Sequence, residues 1–505
     1  MADTVRLAAD EQGFITGTLP LTPIQRWFFA QDFAAPQHWN MAMLLEVSTP
    51  LELPILQQAV LQLLRQHDAL RLRFAPTESG WQAHHAAVDN IAPVSRFDLS
   101  ALPKDEQNTA IQARAAELQS SLNLSQGPLL RFALFELGGS TEPAAPRSQR
   151  LLIIIHHLVV DGVSWRILLE DLATAYQQIR SGEKMALPAK TTAFKHWAQR
   201  LTEHAQSAKL HNELDFWLTL TPAFAQRSAH DKGFHLPVDF AEGREANTMN
   251  SAHTISVAFN AAETQALLQG APKAYRTQID DILLTALVQT FVGWTGATSL
   301  FVHLEGHGRE DILEGVDLSR TVGWFTTMYP VALHWEAAGP GAALKAIKEQ
   351  LRRIPQRGIG YGLLRYLSLD QSVSEKLRAL PVPEVSFNYL GQFDQGLTKS
   401  ALFKIIHDET GPVCSPFAKR QHLLEVTAIV MQDCLQVEWM YSKNLHQQGT
   451  IENLAQNFAK ALRALIEHCQ NIENTEFTPS DFPSAKLSQQ ALDKLMGKIR
   501  QSSFK

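Results

Sequence analysis

Cysteine is scarce. The 505 residues include three, Cys414, Cys434 and Cys469. Their spacing makes no CxxC pair and no disulfide framework, which fits a reducing compartment, and the chain is expected to be cytoplasmic. Long apolar runs are missing too. Stretches such as LLIII (151–155) fall far short of the roughly 20 residues that cross a bilayer, and the charged start MADTVRLAADEQ has no apolar signal core. There is no excess of basic residues. The net charge is −6, so no global field exists for nucleic acid or anionic lipid. Several chemical signatures are absent as well. No GxSxG nucleophile elbow is present, which disfavours a serine hydrolase. Gly358, Gly360 and Gly362 do not make GxGxxG, and no HExxH appears.

What is present is an ordinary globular composition, with 45% hydrophobic and 19% charged residues, able to bury large cores. Residues 1–13 read as a polar leader or linker. Pro20, Thr22 and Pro23 mark a helix start before Ile24, Trp27 and Phe28. The spacing predicts a helix over 51–68, strands at 71–74 and 131–137, and a helix carrying Ile167, Leu168, Leu172, Tyr176 and Ile179. The run LLIII reads as a central strand buried on both faces. Residues 181–192 read as a hinge, followed by one long helical pattern around Trp197 and Trp217 and a loop over 226–250. A strand at 254–259, a helix at 278–294 and a strand at 299–305 follow. Both halves therefore show strand, loop and amphipathic helix. This predicts an α/β fold of two lobes, 14–185 and 186–475, with a C-terminal linker and short helix at 476–505. In that tail Ser488 is a candidate N-cap, and Leu492, Leu495 and Ile499 form a stripe. It reads either as a docking element or as a helix packing on its own lobe.

Two segments carry chemistry. In HHLVVDGVSW (156–165) a buried strand ends in two histidines, then turns at Asp161 and Gly162 before Ser164 and Trp165. Side chains alternate along a strand, so His156 and His157 are expected to face opposite ways, one into a cleft and one into the core. Asp161 is placed to orient the imidazole or to hold the loop through a backbone or arginine contact. In HLEGHGRED (303–311) period two puts Phe301, His303 and Glu305 on one face. Gly306 and Gly308 then allow a close approach. A carboxylate at such a strand end suits a general acid or base. His303, Glu305 and His307 are all metal-ligand types, but no tetrahedral set is evident, so no metal is expected. Asn388 and Tyr389 are candidate hydrogen-bonding groups, and 357–362 reads as a turn shaping a channel wall. FELGGS (135–140) resembles a carrier protein's modification site but is one residue short, which leaves Ser140 as a loop residue.

Seven blocks occur in order: LTPIQRWF (21–28), HHLVVDGVSW (156–165), DDILLTALV (280–288), EGHGRE (305–310), RTVGWFTTMYP (320–330), IPQRGIGYG (354–362) and FNYLGQFD (387–394). Together they resemble the epimerization domains of nonribosomal peptide synthetases, a branch of the condensation-domain superfamily, over residues 15–480. The resemblance implies two chloramphenicol-acetyltransferase-like lobes forming a V-shaped pseudo-dimer with a central tunnel. It implies L to D interconversion at the Cα of an aminoacyl or peptidyl thioester. The substrate arrives on the 4′-phosphopantetheine arm of an upstream peptidyl carrier protein, and no intrinsic cofactor is needed. His157 and Glu305 would be the acid/base pair, with Tyr389 assisting protonation. Asp161 would be structural, and His156, Gly162, Ser164, Trp165, His307, Arg309 and Asn388 would line or support the site. The tail would meet a downstream condensation domain. A protonated His157 would stabilise the enolate while Glu305 carries the proton. The alternatives are a condensation domain, which has no need of EGHGRE, and an inactive carrier-recruiting module.

Overall fold

The computed structural model describes residues 13–503 except 79, 139–147, 221–234, 336–338, 393–401, 407 and 486. The leader through residue 12, Ser140 with most of its connection, part of the 226–250 loop, and Phe393 and Asp394 lie outside the described residues. So does the Ile499 side chain.

Among the described residues the first half supplies seven strands: Gly17–Leu19 (β1), Asn40–Val47 (β2), Leu72–Thr77 (β3), Gly80–His85 (β4), Val94–Leu99 (β5), Leu130–Leu137 (β6) and Ser148–His156 (β7). The second half supplies Ala252–Ala258 (β8), Ser299–Gly306 (β9), Thr327–His334 (β10), Val385–Gln392 (β11), Phe403–Ile406 (β12), Leu424–Met431 (β13) and Cys434–Ser442 (β14). They form a five-stranded sheet ordered β12-β2-β7-β6-β5, a six-stranded sheet ordered β10-β9-β11-β13-β14-β8, and a small sheet β1-β4-β3. This is a mixed α/β fold with one large sheet built mainly from each half.

The apolar run of β7 explains its central place. Leu151, Ile153 and Ile155 pack into the main core, while Leu152 and Ile154 pack into a second core with Leu44, Phe135 and Ile111. Period two sends alternate residues to opposite faces, so a strand sandwiched on both sides has to be apolar throughout. The helix Gly162–Arg180 follows β7 through one short 3₁₀ turn. The helix expected at 278–294 spans Ile279–Thr295 and ends at Gly296 in the left-handed conformation.

Three sequence expectations need correction. The single helix around Trp197 and Trp217 is three short ones, Phe194–His204, Ala208–His211 and Leu214–Thr219. Ser207 breaks the run by capping the second, its side chain accepting from the Leu210 N–H. Residues 359–362 do not form a turn. After the left-handed Gln356, Arg357 and Gly358 the chain enters the helix Ile359–Leu367. Residues 402–406, counted with the second half, deliver β12 to the first sheet, where it pairs antiparallel with β2.

In the tail, Ser488 accepts from the Ala491 N–H at 3.3 Å ahead of the helix Gln489–Ser503. Leu492 is buried and Leu495 is exposed. No helix among the described residues is long and apolar enough to cross a membrane.

Candidate active site

The two sequence motifs meet directly. β7 ends at His156, and His157 opens the 3₁₀ turn His157–Val159. His156 is fully buried. Its Nδ1 accepts from the Leu158 N–H at 3.1 Å and its Nε2–H donates to the Pro36 carbonyl at 2.8 Å. Both nitrogens are thus committed. Burial pushes its pKa down to about 3, so it is a neutral structural group. His157 is the less enclosed of the two. Its Nδ1–H donates to the Val160 carbonyl at 2.9 Å. A carbonyl only accepts, so the proton sits on Nδ1 and Nε2 keeps its lone pair. The ring packs against Trp324 with centroids 4.4 Å apart. Burial lowers the His157 pKa, so the ring is neutral at pH 7. The direction of that shift runs against a resident imidazolium.

Asp161 takes the arginine contact rather than the imidazole. Arg309 Nη2 donates to Asp161 Oδ1 at 3.1 Å and Oδ2 at 3.2 Å, and to Ser164 Oγ at 3.1 Å. Asp161 also caps the helix Gly162–Arg180 through the Ser164 N–H at 2.8 Å and accepts from the Phe325 N–H at 3.2 Å. The Arg309 guanidinium lies 3.9 Å over the Phe325 ring and donates to the carbonyls of Leu318 and Thr321 at 2.9 and 2.7 Å. One buried ion pair therefore clamps the histidine loop to the EGHGRED loop and the GWF segment. Trp165 is 1% exposed and belongs to the core. Ser164 is buried in the clamp. Gly162 is exposed, with open space where a Cβ would sit.

Glu305 is half-buried near the end of β9. Asn388 Nδ2 donates to its Oε2 at 2.8 Å. Burial, with a smaller push from the charge of Glu425, raises its pKa to about 7. A carboxyl there exchanges protons readily in both directions at neutral pH. Tyr389 is separated from this contact, because neighbours on a strand face opposite ways. No hydrogen bond joins it to Glu305 among the described residues. Burial, then the charge of Asp280, raises its pKa to about 12, so the phenol stays protonated. A cavity of about 430 Å³ is lined by Glu305, Tyr389, Tyr329, Asp280, His307 and Arg357.

His303 and His307 part company. His303 is buried, with Nδ1 2.8 Å from Nε2 of His422 and the two rings edge to face. Burial holds both pKa values low. No local sequence signal points to His422, which arrives from more than a hundred residues away. His307 is half-exposed. It accepts from the Arg309 N–H at 3.0 Å and lies 3.3 Å from Glu310. It shapes the loop. Among the described residues no three His, Cys, Asp or Glu side chains are grouped to hold a metal ion.

The condensation-domain profile matches residues 15–488. The chain belongs to the condensation-domain family of nonribosomal peptide synthetases. It is 48% identical over 492 residues to a linear gramicidin synthase polypeptide of Brevibacillus parabrevis, a match covering 97% of this chain and 9% of that protein. It is 36% identical to tyrocidine synthase 1 of the same organism, over 96% of this chain and 43% of that protein. The chain thus spans less than half the length of these curated relatives. Among solved structures it resembles the epimerization domain from the third module of tyrocidine synthetase B. That match has a TM-score of 0.82 and 36% identity, and covers 92% of this chain and 99% of that one. The first condensation domain of the calcium-dependent antibiotic synthetase shares the fold, at 17% identity and a TM-score of 0.63, over 91% of this chain and 98% of that one.

In this condensation-family chain the glycines of the two motifs have distinct uses. Gly308 has φ +68°, and a Cβ there would lie 1.6 Å from the Phe325 carbonyl oxygen. Gly308→Ala is expected to cost about 2–4 kcal/mol from overpacking and left-handed strain together. Gly162→Ala, with nothing to strike, should stay within about 1 kcal/mol of wild type. Urea-unfolding midpoints distinguish the two. Equal losses would contradict the close approach at Gly308.

Proposed function

We propose that this chain epimerizes the Cα of an aminoacyl or peptidyl residue held as a thioester on the phosphopantetheine arm of a peptidyl carrier protein. The observation that carries the reading is Glu305, a half-buried carboxyl poised near pH 7 and held by Asn388. The Asp161–Arg309 pair fixes the Glu305 segment to the loop of a neutral His157 whose Nε2 is free to accept. The similarity to a solved epimerization domain over almost its whole length supports the same reading.

A thioester acidifies the adjacent Cα–H but leaves it a far weaker acid than either side chain. Inverting the centre requires removing a proton from one face and returning one to the other. A neutral imidazole and a protonated carboxyl are a matched pair for this. One accepts while the other donates, and the roles exchange for the reverse direction. The imidazolium formed transiently on His157 would then stabilise the enolate. Positioned acid–base help of this kind is worth on the order of 10²–10⁴-fold.

The assay is Cα deuterium uptake from heavy water into carrier-bound substrate, followed by chiral analysis of the released product. His157→Ala and Glu305→Gln should each cut exchange by about 10²-fold or more. Normal exchange in both would overturn the assignment. Amide formation with a downstream acceptor, and no exchange, would indicate condensation instead.

The rate should also carry a titration near pH 7 that belongs to Glu305. Glu425→Gln removes a negative charge that raises the Glu305 pKa, so that limb should move to lower pH. A limb that does not move would show that another group titrates.

A further inference from the structure

The cavity of about 430 Å³ beside Glu305 holds polar groups that the proton transfer does not use. Asp280, in the first turn of the helix Ile279–Thr295, is exposed and lines it. It forms no hydrogen bond or ion pair with a described residue. Its neighbour Asp281 does, because Arg352 donates to both Asp281 oxygens at 2.9 and 2.7 Å. Arg357 lies 3.6 Å from Glu310, which is also 3.3 Å from His307. The two arginines of the lining thus have acids of their own, and Asp280 is left over. Burial, then the charge of Asp281, raises its pKa to about 6, so it is mostly ionised at pH 7.

The helix dipole alone favours a carboxylate in a first turn, so Asp280 by itself says nothing of a ligand. Tyr329 does. It is 8% exposed, yet its hydroxyl has no hydrogen-bond partner among the described residues. Its ring lies against the left-handed Gly358, where a Cβ would come within 2.2 Å of it. Trp217 packs on the ring edge to face, with centroids 6.2 Å apart. The ring therefore has little room to turn. After burial, the charges of Asp280 and Glu310 raise the Tyr329 pKa. Both acids line the cavity, so the hydroxyl end of Tyr329 faces it. A buried hydroxyl without a partner costs stability, and a bound group in the cavity would supply the missing bond.

We propose that Asp280 and Tyr329 bind a protonated amine of the substrate in this cavity. This rests on the proposed function for the identity of the substrate. A carboxylate and a phenol oxygen both accept hydrogen bonds, so together they suit a group with several N–H donors and a positive charge. Glu305 lines the same cavity, so a group on the reacting Cα, or a few bonds along its side chain, falls inside it. The α-amine of an aminoacyl thioester and the amine of a basic side chain share this chemistry, and the test separates the two sources.

The measurement is KM for Cα deuterium exchange with three carrier-bound thioesters: leucyl, N-acetylleucyl and N-acetylornithyl. The first carries a charged α-amine, the second no charge and the third a charged side chain. The wild type should favour one charged substrate over N-acetylleucyl by about tenfold or more. A preference for leucyl identifies the α-amine, and one for N-acetylornithyl the side chain. Asp280→Asn should erase most of that preference, and Tyr329→Phe should reduce it by about threefold or more. Both substitutions keep the shape of the side chain, and neither removes a hydrogen bond to a described residue. A positive nitrogen also acidifies the Cα–H, but it does so equally for wild type and variant and drops out of their ratio.

A wild type indifferent to the charge, or a preference that survives Asp280→Asn, overturns the proposal. An equal fall in kcat for all three substrates, with the KM ratios unchanged, overturns it too, since that is damage to the fold. A preference lost in Asp280→Asn but untouched in Tyr329→Phe strikes Tyr329 from the site. If no thioester exchanges at all, the proposed function fails instead. The amine site is then judged by calorimetric titration with the methyl esters of leucine, N-acetylleucine and N-acetylornithine, where equal affinities would sink it.

Discussion

Glu305→Gln should lose activity and gain stability in the same pH range. The folded pKa is raised from 4.5 to about 7. A carboxyl raised in this way supports the fold fully only below about pH 4.5, where it is protonated in both states. That support is lost as pH rises through 7, because the unfolded chain ionises freely while the folded one resists. At about 1.4 kcal/mol for each tenfold change in proton affinity, the difference corresponds to about 3 kcal/mol at pH 8 and above. Glutamine is neutral at every pH and keeps an oxygen for the Asn388 donor. Urea midpoints at pH 5 and pH 8 should therefore diverge, with the variant the more stable at pH 8, while deuterium exchange falls by about 10²–10⁴-fold. A stability gap independent of pH would mean that Glu305 is not held against ionisation. That outcome would make glutamate the less stable choice at this position, the pattern seen where reactivity rather than packing decides a side chain.

The second large effect belongs to a residue with no role in proton transfer. Asp161→Ala removes the carboxylate that Arg309, the Ser164 N–H and the Phe325 N–H all use. Arg309 is left charged and buried, with side-chain exposure of 9%. Breaking a buried pair from one side costs about 3–5 kcal/mol, and the lost helix cap adds about 1 kcal/mol. Arg309→Met is expected to cost less, because Asp161 keeps its backbone donors. The double variant should be more stable than the sum of the two losses allows, by about 1–3 kcal/mol. Strict additivity in a denaturation cycle would show that the pair is not a clamp. In Asp161→Ala the kcat should fall through disorder of His157, with the pH limb of Glu305 unmoved.

Local features are readable in the sequence, and long-range ones are hidden. The LLIII run announces a strand buried on both faces, and β7 has one face in each of two cores. The DG turn announces a helix start, and Asp161 caps that helix. Alternation splits His156 from His157, with the strand ending one residue earlier than a simple extension would place it. The same rule, applied to Asn388 and Tyr389, separates a residue that hydrogen-bonds Glu305 from one that lines the same cavity with no hydrogen bond to it among the described residues. Arg309 stands out within EGHGRE, but its partner does not, because nothing local joins position 309 to position 161. His422 lies beyond any local signal for the same reason. The three short helices at 194–219 hide behind two tryptophans whose spacing suits one long helix. Both are buried, but on separate segments.

The pairing of β12 with β2 bears on how the chain is made. β2 lies between β7 and β12 in the first sheet. As the protein leaves the ribosome, β7 can join β2 early, but the other edge of β2 waits until Phe403–Ile406 has been synthesised. Open strand edges are templates for pairing with other chains, and non-local pairings form slowly. The first sheet therefore closes only when most of the second half exists. Completion of that sheet is thereby tied to synthesis of the second half.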